Sequence, residues 1–103
     1  MQMFGNLANK EPFSINPGER HYGTFKQMKA MGDIQLEKAI KSYKRNAKEH
    51  IEKVKNPKIS YGDKWNEMSE SHKKSAIKHW QDEIQNFTEQ AEIGEKLQKE
   101  RGL

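Results

Sequence analysis

Seven lysines crowd one stretch of this chain: Lys53, Lys55, Lys58, Lys64, Lys73, Lys74 and Lys78. Tyr61, Trp65, His72, His79 and Trp80 are interleaved with them. Ammonium groups neutralise phosphates and aromatic faces stack on unpaired bases, so the mixture suits RNA or single-stranded DNA. Lys73 and Lys74 fall near the expected start of a helix, where the helix dipole disfavours cations by a few tenths of a kcal/mol. A sequence selected for stability alone would carry acids there. The competing reading makes the lysines a hydrated surface and places Trp65 and Trp80 in the core; Trp80 lies on an apolar stripe and fits that reading. His79 and Glu83 share a helix face with His72 two turns away, but a metal site needs three or four converging donors, and no third ligand stands out. No metal site is expected.

A second group is Arg45-Asn46-Ala47-Lys48-Glu49-His50. An arginine followed five positions later by a histidine on a helix resembles the signature of the all-α HEPN ribonucleases. The resemblance implies that Arg45 stabilises the scissile phosphate while His50 acts on the ribose hydroxyl or leaving group, a metal-independent cleavage. Yet His50 also falls on an apolar seam, where a hydrogen-bonded core histidine is the alternative. The chain has no nucleophile elbow and no glycine-rich phosphate loop, and no cofactor is expected. The absence of Cys excludes disulfides, thiolate metal sites and cysteine nucleophiles.

Two heptad seams must position these groups. Leu36, Ile40, Tyr43, Ala47, His50 and Val54 form one; Ile77, Trp80, Ile84, Phe87, Ala91 and Gly94 form the other. Spacings alternating between three and four put one narrow apolar stripe on each of two long helices. The first helix is expected from Asp33 to Lys55, ended by Pro57; the second from Ser69, its cap, to about Arg101, ended by Gly102. At 1.5 Å per residue they span roughly 34 Å and 46 Å, so the far end of the second should overhang. Met68 is placed to staple the start of the second helix. The expected fold is all-α: an antiparallel helical hairpin over 33–103, with an irregular segment over 1–32 that carries a short helix.

Within 1–32, Ser14-Ile15-Asn16-Pro17-Gly18 reads as a turn, Thr24 as the cap of a short helix, Gly32 as its stop and Asp33 as the next cap. Phe4, Leu7, Phe13 and Ile15 are expected to dock, and Phe25, Met28 or another N-terminal apolar group to fill the space left by Ala91 and Gly94. Residues 82–95 hold five acids and no base, whereas 36–56 hold seven bases and three acids. Reversal of the chain would lay those acids along Lys38, Lys41, Lys44, Arg45 and Lys48, each pair contributing under ~1 kcal/mol.

Only 32% of residues are hydrophobic and 33% are charged, too little apolar content for a wide core but enough for the seam of a bundle. So narrow a stripe also allows two hairpins to bury their seams face to face as a dimeric four-helix bundle. The net charge of +4 is compatible with a nucleic-acid or acidic protein partner. No apolar run approaches the ~20 residues of a membrane span, and the N-terminus lacks a basic region followed by an apolar core. A cytoplasmic location is expected.

Lys41-Ser42-Tyr43, Glu49-His50-Ile51-Glu52-Lys53, Asn56-Pro57, Trp65, and Ile77-Lys78-His79-Trp80 through Glu83-Ile84-Gln85-Asn86-Phe87 carry one further likeness. In this order, residues 33–97 resemble helical segments found near the C-termini of bacterial polymorphic toxins. The resemblance implies a bacterial or phage conflict setting, with room for an accessory, immunity or phage-encoded role, and implies no particular reaction.

Overall fold

The computed structural model describes residues 12–103. The expected docking of Phe4 and Leu7 lies outside them. The described residues are helical and include no strand: α1 (Tyr22–Ala30), α2 (Asp33–Lys55), α3 (Lys58–Tyr61), α4 (Lys64–Glu67) and α5 (Glu70–Glu100).

Local chemistry sets most of the boundaries. Asn16-Pro17-Gly18-Glu19 makes a type II turn: Glu19 N–H donates to Asn16 O at 3.0 Å, and Gly18 takes the positive φ of 87° that such a turn needs. The α2 helix stops at Asn56, whose ψ of 84° is extended because Pro57 follows. Ser69 caps α5, its Oγ accepting from His72 N–H at 3.1 Å. At the other end, Leu103 N–H reaches Gln98 O and Gly102 N–H reaches Lys99 O, with Gly102 at φ 81°, a Schellman closure.

The first helix junctions differ from expectation. Thr24 does not cap α1; it lies inside the helix and donates its Oγ1 proton to Gln90 Oε1 at 2.7 Å. The helix starts earlier because His21 adopts a left-handed φ of 66° and its carbonyl receives Phe25 N–H. Gly32 is not used as a left-handed stop; at φ −70°, ψ 167° it precedes α2, its carbonyl accepting from Leu36 N–H. Asp33 is the first helical residue rather than the cap. Its carboxylate favours the positive end of the helix and pairs with Arg101 at 3.0 Å.

The α2 helix packs along α5, and the paired residues run in opposite order along the two chains. Asp33 meets Arg101, Ile40 meets Gly94, and the His50 ring lies 5.3 Å from that of Phe87. At one end, here the base, Leu36, Ile40, Ile93 and Leu97 enclose a core completed by Phe25 and Met28 of α1. Gly94 is the point of closest approach. A Cβ built there would sit 2.9 Å from Ile40 Cδ1, closer still to its Cγ1, and 3.3 Å from Met28 Cε. The space left by Gly94 is thus taken by Ile40 as well as by the anticipated Met28.

Pairing at the base corrects the expected overhang. Arg101 at the end of α5 is level with Asp33 at the start of α2, so the far end of α5 is covered. The surplus length lies at the opposite end, the tip, where about ten residues of α5 extend some 15 Å past the end of α2. Only the single-turn helices α3 and α4 cover them. Towards this end the seam residues Val54, Ile77 and Ile84 are half-buried. The described residues measure 62 × 28 × 25 Å. No described helix is long and apolar enough to cross a membrane.

Candidate functional site

Pro57 ends α2, Gly62 at φ 60° separates α3 from α4, and Ser69 starts α5. These three breaks fold residues 57–69 back over the first turns of α5. They bring together Tyr61, Trp65 and Trp80, with Tyr61 5.8 Å from both indoles and the indoles stacked at 6.2 Å. Trp80 is only 5% exposed and forms the floor, as its place on the seam suggested. Trp65 is half-buried, and Tyr61, at 39% exposed, keeps an edge in water.

Beside this cluster lies an open groove of about 570 Å³. Tyr61, Met68, Ala76 and Trp80 supply its apolar surface. Lys64, His72, Ser75 and His79 complete it, and no lining residue is acidic. The α5 contributors recur every three or four positions and so share one face. Met68 faces the groove. The residue it would staple, four positions into α5, is Lys73, whose ammonium lies over the Trp65 ring at 5.6 Å.

The tip lysines divide into two sets. Lys73 is 22% exposed and also 3.7 Å from Glu70; Lys55 is 4.0 Å from Glu52 and Lys78 3.2 Å from Asp82. Lys53, Lys58, Lys64 and Lys74 have no ion-pair partner among the described residues, and all but half-buried Lys53 are exposed. Residues 53–80 carry seven lysines against three acids, and the rest of the chain carries twelve basic residues against twelve acidic ones. The whole net charge of the protein therefore sits at the tip.

Arg45 and His50 occupy different faces, since five positions turn the helix by about 500°, leaving them about 140° apart. Arg45 is exposed and reaches Ser42 Oγ at 3.5 Å, while His50 bonds Asn46 O through Nδ1 at 2.8 Å and packs on Phe87. No hydrogen bond joins the two among the described residues. No group of three His, Asp or Glu side chains capable of holding a metal occurs among them either.

Comparison places nothing beside this chain. No known family, no curated protein and no solved structure matches it.

A polar cluster that sequence reasoning missed lies towards the base. Glu89 Oε1 accepts from Arg20 Nε at 2.6 Å and pairs with His21 Nε2 at 2.8 Å, while Gln85 donates to Oε2 at 3.1 Å. These hydrogen bonds, from His21 above all and then from Arg20 and Gln85, lower the Glu89 pKa from 4.5 to about 2. Arg20 also bonds Asn86 Oδ1. The cluster ties the N-terminal segment to α5 and offsets the cost of the left-handed His21, of order 1 kcal/mol or more. The acids of 82–95 were expected to face the bases of α2, but among the described residues only Lys44–Glu95, at 2.7 Å, joins the two helices that way. Lys41 pairs instead with Glu37 of its own helix.

Proposed function

We propose that this chain is a small helical interaction module, an antiparallel hairpin whose tip binds an anionic macromolecular partner. One observation carries the reading. The protein's entire net charge coincides with an open apolar groove, on the part of α5 that no long helix covers. Apolar contact area with a surrounding of one charge sign supplies both affinity and steering of the encounter. The likeness of residues 33–97 to polymorphic-toxin segments supports a bacterial or phage conflict setting for that binding.

Heparin-affinity chromatography tests the placement. Changing Lys58, Lys64 and Lys74 to Glu should cut the eluting salt concentration far more than changing Lys29, Lys38 and Lys99 to Glu. Both triple variants carry the same net charge, so equal losses would leave overall charge, not the tip, as the cause. The half-buried Val54, Ile77 and Ile84 favour a second use of the same end, a face-to-face dimer forming a four-helix bundle. Sedimentation equilibrium would show it as a doubled mass that is lost on Ile77→Glu.

A further inference from the structure

We infer that the partner seated at the tip is an acidic amphipathic helix of another polypeptide, which sets a bulky apolar side chain into the groove. This deepens the reading above and rests on it.

Three features favour a helical peptide over other anionic partners. First, the aromatic faces a nucleic acid would stack on are already engaged. Trp80 is buried, Trp65 is stacked on it, Tyr61 leans on both, and Lys73 covers Trp65. Sequence-tolerant binding of single strands depends on open aromatic platforms, and here Trp65 is half-buried and Tyr61 keeps an edge in water. Second, the less exposed residues of the groove, Met68, Ala76 and Trp80, are apolar, and its exposed residues include Lys64, His72 and His79. That layout recognises an apolar anchor flanked by carboxylates rather than a continuous phosphate backbone. Third, the α5 residues that line the groove run along one face from His72 to Trp80, about 12 Å, or just over two helical turns. The described residues include no strand, hence no sheet edge to which an extended peptide could add. A helix laid beside the overhanging turns of α5, its anchors at i, i+4 and i+7, meets both conditions. It would also supply the third long wall that α3 and α4 are too short to provide.

A random peptide library displayed on phage, panned against the whole chain beside a pool of random single-stranded RNA, tests this. The selected peptides should carry Leu, Phe or Trp at helical spacing among Asp and Glu. Ser75→Glu, on the exposed groove wall, should weaken the best of them at least about tenfold, and Lys64→Glu about threefold to tenfold. Circular dichroism of each variant should match the parent. The inference is overturned by selected peptides lacking acidic residues, by binding indifferent to Ser75→Glu, or by selection of RNA alone. RNA retained by the parent and lost in Lys64→Glu would overturn the peptide partner and leave the binding tip standing. Neither pool binding at the tip would remove both. A selected peptide that binds only a doubled mass of the chain would transfer the groove to the dimer and likewise end the inference.

Discussion

The base and the tip of this molecule are made from the same two helices, yet the chain treats them in opposite ways. At the base, a third helix closes the seam. Leu36 and Met28 are fully buried, Gly94 lets Ile40 in, and charges are paired in Arg101–Asp33 and the Glu89 cluster. At the tip, α2 stops short, two single-turn helices stand in for a wall, and four of the seven lysines have no acid to meet them among the described residues. Exposed Ile59 and Tyr61 lie there too. Stability is concentrated where sequence-distant residues interlock, and exposed apolar and cationic surface where they do not. A helix pair offset by ten residues is enough to produce both from one stripe of apolar residues.

Stability measurements can break that contrast. The largest loss is expected at the base: Leu36→Ala should cost about 3 kcal/mol in urea unfolding, from lost burial plus the cavity left behind. Gly94→Ala should cost about 1–2 kcal/mol, although alanine alone favours a helix over glycine by about 1 kcal/mol. Ile40 Cγ1 is next to its own branch point and cannot swing away from a new methyl. A gain in stability there would show the interlock to be loose. Glu89→Gln should cost about 1 kcal/mol or less. Its signature is in pH. A carboxylate whose folded pKa lies below its unfolded value stabilises above the unfolded value, and that contribution is lost as pH falls through the folded one. The parent should therefore lose thermal stability more steeply than Glu89→Gln between pH 4.5 and about 2. The smallest change belongs to the tip: Lys64→Glu should leave unfolding free energy within about 0.5 kcal/mol while binding falls.

The seams were legible because burial leaves a period in the sequence, and Leu36, Ile40, Ala47, Trp80 and Ala91 are all buried. Pro57, Ser69 and Gly102 were legible because their backbone chemistry is local. What escaped was set by contacts between distant residues. His21 turns left-handed to bring its ring to Glu89, so no local rule finds the start of α1. Asp33 is the first residue of α2 rather than its cap, and its carboxylate reaches the distant Arg101. The offset of the two helices depends on Ile40 meeting Gly94, and a heptad slip would satisfy the stripe equally well. The basic, aromatic composition of the tip could be read directly; the commitment of Lys73 to Trp65 could not, because it needs the chain reversal between them.

The chain reversal also has a kinetic side. Tyr61, Trp65 and Trp80 lie within twenty residues of one another, whereas the base joins Phe25 and Met28 to Ile93 and Leu97 across more than sixty. Short loops close at smaller entropic expense, so the aromatic cluster should assemble first and the helices zip from there towards the base. Both tryptophans of the chain sit in that cluster. In stopped-flow refolding, their fluorescence should therefore settle before far-ultraviolet dichroism reports the completed helices. The part of the molecule proposed to meet a partner would also be the part from which its own folding begins.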